Sequence, residues 1–139
     1  MIQSIDSEKL AREVSRLSVK HGVVTNILLE VNIGREANKS GILPEKLSDL
    51  LSTVSVLPNI CVKGLMAIPP ANTEKKETFS YFTRMYQYFI DISAQKIDNV
   101  NMQFLSMGMS ADYELAIEAG ANMVRIGSSL FGPRDYSKK

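Results

Sequence analysis

Two short segments combine glycine with hydroxyl-bearing residues, and each begins as an apolar run gives way to polar residues. They are SMGMS at 106–110 and RIGSS at 125–129. Gly108 and Gly127 allow tight turns and close approach of the backbone to a ligand, and Ser110 is placed to cap a following helix. Free N–H groups at a helix start attract anions. Each segment alone is better explained as an ordinary capped turn, whereas the pair makes a phosphate site an equal alternative.

Arg125 leads the second segment and lies between Val124 and Ile126. In a strand the side chains alternate between two faces, so an inward-pointing arginine at this position needs an acceptor. A bound ligand is one such acceptor. A salt bridge to a carboxylate such as Glu30 is the alternative.

A second charged pair lies in the glycine-bounded loop 34–41, where Glu36 precedes Lys39 by three residues. On the residues alone we expect a solvated surface pair. The single histidine, His21, falls at a predicted helix end on the opposite rim and is expected to be an ordinary surface residue. The polar residues that gather near the predicted site form no cluster of metal-ligand type.

The apolar pattern alternates between short continuous runs and helical spacing. Strands are predicted at 1–5, 26–33, 61–68, 103–107 and 123–126. Helices are predicted from Asp6 or Ser7 to Gly22, from Pro44 onward, at 73–94, and from Ser110 to Gly120. This order predicts an α/β fold with a parallel sheet and right-handed crossovers.

The chain of 139 residues is expected to form a single domain spanning residues 1–139. A complete (β/α)8 barrel typically takes about 250 residues, so five strands suit either a small open sheet or part of a barrel. In both cases ligands gather at the carboxyl ends of the strands. The segments 106–110 and 125–129 fall there, together with Asn32.

Composition narrows the function classes. Sixteen basic and fifteen acidic residues leave a formal charge of +1, which argues against a broad nucleic-acid surface. One cysteine, Cys61, excludes an internal disulfide framework. No apolar run approaches the roughly 20 residues of a membrane helix, and the first residues lack a signal-peptide layout. A cytoplasmic protein with no membrane and no nucleic-acid partner is expected.

Four stretches resemble the pyridoxal-phosphate homeostasis family of the YggS/PROSC type, which has the barrel of the alanine racemase N-terminal domain. They are SIDSEKLA, VNIGREANKSG, VKGLMAIPP and LSMGMSADYELAIEAGANMVRIGSSLFGPRDY. The resemblance runs over nearly the whole chain. It implies the C-terminal part, about five strands, of a (β/α)8 TIM-type barrel. The family's N-terminal strands, including the one whose lysine forms the Schiff base, have no counterpart here, so a truncated form is expected.

The resemblance also implies a set of site residues for pyridoxal 5'-phosphate. The phosphate is expected at Ser106, Gly108, Ser110, Gly127 and Ser128, with Ile126 contributing backbone. Arg125 matches the arginine near the pyridine nitrogen, and Met66 packs near the cofactor. Lys39 and Glu36 match a loop pair beside the site, and Asn32 lines the pocket.

The implied function is a pyridoxal 5'-phosphate-binding protein of intracellular vitamin B6 homeostasis that is not an enzyme, has no catalytic residue and holds no metal. Covalent attachment of the cofactor is doubtful, with Lys39 as the substitute considered. The alternatives are a truncated barrel remnant without covalent cofactor, or an amino-acid racemase-like enzyme. Five barrel strands leave two open edges, which predicts self-association through them, flattening into an open sheet, or a truncated product.

Overall fold

The computed structural model describes residues 1–71 and 73–132, so Pro133 to Tyr136 of the family-like tail lie outside the described residues. Five strands form one sheet: β1 Ile2–Ile5, β2 Thr25–Val31, β3 Ile60–Ala67, β4 Val100–Met109 and β5 Met123–Arg125. The helices are α1 Glu8–Lys20, α2 Leu47–Ser55, α3 Lys75–Ser93, α4 Tyr113–Glu118 and α5 Ser128–Phe131, with a 3-10 turn at Pro44–Lys46.

The predicted elements are confirmed, with small changes at their ends. Ser7 caps α1, where its hydroxyl accepts a hydrogen bond from the Leu10 N–H at 3.4 Å. Gly22 follows the end of that helix with φ +64°, the left-handed conformation that a terminating glycine supplies. The prediction that Ser110 caps the next-to-last helix is wrong. That helix begins at Tyr113, with Asp112 in the cap position.

All strand pairs are parallel, and their order in the sheet, β1-β2-β3-β4-β5, is their order in the chain. The sheet is nevertheless strongly curled. Ser106 of β4 donates a hydrogen bond from Oγ to Gln3 Oε1 of β1 at 2.7 Å. In a flat sheet, strands three places apart are separated by about 14 Å. The described strands therefore form a half-barrel of five parallel strands, and the flattened open sheet is not found.

The two faces of this half-barrel differ in character. The helices cover the convex face, where alternate residues of β2 such as Ile27, Leu29 and Val31 join the main apolar core. On the other face of the same strand lie Leu28, fully buried, and Glu30, a carboxylate only 5% exposed. The concave face therefore holds the buried polar groups that a ligand could reach.

Among the described residues no helix is long and apolar enough to cross a membrane.

Candidate functional site

The loops after β4 and β5 meet at the hydroxyl of Ser110. Its Oγ accepts the backbone N–H groups of Gly127 at 3.1 Å and Ser129 at 3.2 Å. Ser129 Oγ donates in return to the Ser110 carbonyl at 3.4 Å. Ser110 does not cap α4 because its hydroxyl is directed to the neighbouring loop after β5. Two backbone N–H groups thus converge on one oxygen at the carboxyl end of the sheet.

Gly108 lies in β4 between Ser106 and Ser110, the second of which follows the strand, and has φ +92°, as the sequence predicts for a flexible position. The close approach that it permits in the structure is to helix α4. A Cβ at this position would stand 2.6 Å from the Cβ of Ala116 and 3.0 Å from the Cα of Tyr113. Gly108 therefore sets how closely α4 packs on β4, and through that contact it fixes the start of the loop that carries Ser110.

The second loop is open on the side where a ligand would approach. Gly127 has φ −118°, and a Cβ added there would meet no atom within 4 Å. Ser128, the first residue of α5, is exposed, and Ile126 before the loop is half-buried. In the part of the chain that the structure describes, the Ser128 N–H donates no hydrogen bond. We call Ser110, Gly127 and Ser128 the rim cluster.

Arg125, the last residue of β5, reaches over two strands of the half-barrel. Its Nη1 donates to Ser106 Oγ at 2.6 Å and its Nη2 to the Ala67 carbonyl at 3.0 Å. Burial lowers the pKa of Arg125, and the carboxylates of Glu30 and Asp112 act in the opposite direction. The guanidinium is thus hydrogen-bonded to two neutral oxygens, and its positive charge is compensated by the more distant carboxylates of Glu30 and Asp112.

The salt bridge to Glu30 considered from the sequence is not formed, since no ion pair among the described residues includes either group. The Glu30 carboxylate instead accepts a hydrogen bond from Ser40 Oγ at 2.6 Å. Met66 of β3 lies between Glu30 and Ser106 in the sheet, since it pairs with Glu30 of β2 on one side and with Ser106 of β4 on the other. It is 5% exposed. We call Arg125, Ser106 and Met66 the arginine cluster.

Asn32 braces the loop 34–41. Its Nδ2 donates to the carbonyls of Glu36 at 2.8 Å and Lys39 at 3.4 Å, and its Oδ1 accepts from the Glu36 N–H at 3.1 Å. The Lys39 side chain is exposed, and no ion pair joins it to Glu36 within the described chain. The structure therefore places Asn32 as an anchor of this loop and Lys39 on its surface.

The predicted site residues thus fall into separate groups. Ser106 lies within β4 and its hydroxyl bonds to Gln3 and Arg125, whereas Ser110 follows the last residue of that strand and bonds to the loop after β5. The two hydroxyls therefore belong to separate hydrogen-bonded groups. A cleft of about 1320 Å³ borders the rim cluster and extends between α3 and α4. Arg125, Met66 and Asn32 do not line it. We therefore place the candidate site at the rim cluster and the arginine cluster, and not in the cleft as a whole.

Sequence reasoning missed Gln3. It lies on β1, 103 positions from its partner Ser106, and only the curl of the sheet brings the two together. The signal that was present is a polar amide inside the predicted strand 1–5, where Ser4 is a second polar residue. In residues 1–71 and 73–132 no group of three histidine, cysteine or carboxylate side chains is arranged to hold a metal.

Comparisons with known proteins identify the family and the fold. The sequence model of a family described as the alanine racemase N-terminal domain matches residues 1–135. A pyridoxal phosphate homeostasis protein of Aquifex aeolicus is 42% identical over 98% of this chain and 59% of its own length. A protein of the same name from Escherichia coli K12 is 43% identical over 82% of this chain and 47% of its own length.

Solved structures show the same relationship. PipY of Synechococcus elongatus, determined with PLP bound, superposes with a TM-score of 0.83 at 31% identity, over 94% of this chain and 60% of PipY. Alanine racemase of Clostridium difficile, at 15% identity and a TM-score of 0.69, shares the fold.

The chain spans about three-fifths of the length of the Aquifex relative and of PipY. Within that span the family match covers nearly every residue, and the two curated relatives described above carry one name. The chain therefore belongs to the family of alanine racemase N-terminal domains, and within it to the pyridoxal phosphate homeostasis proteins.

Proposed function

We propose that this chain binds pyridoxal 5'-phosphate in the cytoplasm and serves intracellular vitamin B6 homeostasis as a non-catalytic carrier. The rim cluster holds the phosphate, and Arg125 faces the ring nitrogen. Relatives named for pyridoxal phosphate homeostasis and the PLP-bound PipY structure support this proposal.

The observation that carries the proposal is the convergence on Ser110 Oγ. Two backbone N–H groups, at 3.1 and 3.2 Å, already surround one oxygen there, and the Ser128 N–H and the open side of Gly127 adjoin it. A phosphate oxygen is a stronger acceptor than a hydroxyl because it is charged. The hydroxyl of Ser110 can then turn and donate to it, so the residues present fit the group.

Acidic residues near the rim do not defeat this fit. Asp112 precedes α4 in the cap position and Glu114 lies in its first turn, and carboxylates there weaken an anion site. The Asp112 carboxylate, however, accepts a hydrogen bond from the Met109 N–H at 2.7 Å. Its charge is thereby partly satisfied by the chain itself.

Arg125 fits the opposite end of the cofactor. An arginine carries five N–H donors and no acceptor and stays protonated. Two of its nitrogens are already bound to protein oxygens, and its remaining donors suit an unprotonated ring nitrogen. Bound pyridoxal phosphate supplies an aldehyde on a pyridine ring, and a ring left unprotonated is a weak electron sink. This favours a carrier over an enzyme.

We propose that binding here is non-covalent, because the candidate lysine of the described loop, Lys39, is exposed. The test is a titration with pyridoxal 5'-phosphate, followed by visible absorbance before and after borohydride. We expect saturable binding without a borohydride-stable adduct. A stable adduct that Lys39→Ala abolishes would overturn the non-covalent part.

Ser110→Ala removes the hydroxyl at the rim, and the matched control is Ser52→Ala on the exposed side of α2. Since a hydrogen bond to a charged group contributes about 1.5–3 kcal/mol, Ser110→Ala should weaken binding at least about tenfold. The control should not change it. Absence of saturable binding by the unmodified chain contradicts the proposed function itself.

A further inference from the structure

Gln3 is linked to the guanidinium of Arg125 through a single hydroxyl. Arg125 Nη1 lies 2.6 Å from Ser106 Oγ, and Ser106 Oγ lies 2.7 Å from Gln3 Oε1. Ser106 is 0% exposed, so no water competes for its hydroxyl. The three side chains belong to β5, β4 and β1, and the link therefore spans the concave face of the half-barrel.

The direction of every proton in this link follows from the chemistry of the groups. An arginine can only donate, so Ser106 Oγ must accept from it. The one proton of the Ser106 hydroxyl is then free for Gln3, which must present its carbonyl oxygen and not its NH₂ group. If the acceptor at position 3 is lost, the buried Ser106 hydroxyl has an unpaired proton, and such groups are costly to bury. The hydroxyl then rotates away from the geometry that holds Arg125.

Arg125 needs this support because its strand is short. β5 has three residues, and Arg125 is the last of them. A long side chain at the end of a short edge strand has many rotamers, and each contact that fixes the guanidinium preorganises it for a ligand. The other contact, to the Ala67 carbonyl, fixes one nitrogen only. The direction of the remaining N–H groups therefore depends on the Ser106 bond.

We propose that Gln3 is a positioning residue, which acts through Ser106 to aim Arg125 and thereby sets the preference of the site for a ring with an unprotonated nitrogen. The inference rests on the proposed function and deepens it, since it names what selects the ring. A pyridine ring whose nitrogen lone pair is free accepts from Arg125. A ring with C–H in that place leaves a buried N–H donor unpaired.

The test compares pyridoxal 5'-phosphate with its 1-deaza analogue, in which C–H replaces the ring nitrogen. Both carry the same phosphate and aldehyde, so their ratio of dissociation constants isolates the nitrogen contact. We expect the unmodified chain to prefer pyridoxal 5'-phosphate by about tenfold or more. In Gln3→Met, which keeps the unbranched shape, the preference should fall to about threefold or less, with affinity for the deaza analogue changed by less than about twofold.

Four comparisons separate a positioning role from general damage. Ser4→Ala, on the exposed side of the same strand, should keep the full preference. Gln3→Glu retains an acceptor oxygen and should also keep it, while Gln3→Leu repeats the loss with a second side chain. Because Gln3 acts through Ser106, the double variant Gln3→Met, Ser106→Ala should lose no more preference than Ser106→Ala alone. If the double variant instead loses as much preference as the two single variants together, Gln3 does not act through Ser106 and the inference is overturned.

A measurement without any ligand makes the outcome independent of the proposed function. In ¹⁵N spectra of the arginine side chains, with Arg125→Lys used for assignment, the two Nη groups of Arg125 should give separate signals because the guanidinium is fixed. Gln3→Met should merge them, and Ser4→Ala should not. Unchanged signals in Gln3→Met overturn the inference. Separate signals that merge as expected, in a chain that binds no pyridoxal 5'-phosphate, would uphold the positioning and sink only the proposed function.

Discussion

Replacing Gly108 by alanine tests how the helix packing of β4 supports the site. The residue has φ +92°, and the added Cβ would lie 2.6 Å from Ala116 Cβ. A left-handed backbone costs a non-glycine residue about 1–2 kcal/mol, and forcing an extra methyl group into a packed contact costs about 1–3 kcal/mol. Reduced freedom of the unfolded chain returns about 0.4–1 kcal/mol. The expected loss of unfolding free energy is about 2–4 kcal/mol.

Two other glycines separate these contributions. Gly22 has φ +64° and no atom within 4 Å of an added Cβ, so Gly22→Ala carries the backbone cost alone, about 1 kcal/mol. Gly127 has φ −118° and equally open surroundings. Gly127→Ala should therefore carry only the effect on the unfolded chain and raise the free energy of unfolding by about 0.4–1 kcal/mol.

The assay is urea unfolding followed by far-ultraviolet circular dichroism. With an m-value of about 2 kcal/mol/M, Gly108→Ala should lower the midpoint by about 1–2 M. Gly22→Ala should lower it by about half a molar. If Gly108→Ala costs no more than Gly22→Ala, the close packing of α4 on β4 is not what fixes this glycine, and the reasoning is refuted.

Two further predictions concern side chains outside the clusters. Asn32→Ala removes the brace of the loop 34–41 and should speed hydrogen exchange at the Glu36 amide at least about fivefold, while exposed Asn38→Ala in the same loop should not; equal rates in both would contradict the bracing role. The Arg16 hydrogen bonds lower the pKa of Glu13, so Arg16→Ala should raise that pKa toward its usual value in a carbon-detected NMR titration. In the unmodified chain the ion pair exists above the lowered pKa of Glu13 and is lost as the pH falls through that pKa. A Glu13 pKa that does not move in Arg16→Ala would argue against the contact.

The sequence pattern predicts the alternation of strands and helices because each element's apolar period is local. It also predicts which loops meet, because parallel strands place their carboxyl ends on one edge. Arg125 was rightly expected to need an acceptor. Which acceptor it finds depends on how far the sheet curls, and no local pattern encodes that.

The same limit explains the other differences. The clash that fixes Gly108 comes from α4, whose distance from β4 is a packing result, and Ser110 serves a loop that is remote in sequence. Gln3 looked like part of an ordinary strand, since its partner is three strands away. Residue types on the strands were thus predictable, but contacts across the concave face were not.

The sequential order of the strands bears on how the chain folds. Each strand pairs with the strand that precedes it in the chain, so the sheet can grow one strand and one helix at a time as the polypeptide is synthesised. The bond from Gln3 to Ser106 instead closes a separation of 103 positions. Long loops cost more entropy to close, so this bond forms late. The hydrogen-bonded link from Gln3 through Ser106 to Arg125 is therefore completed only after β1, β4 and β5 have come together.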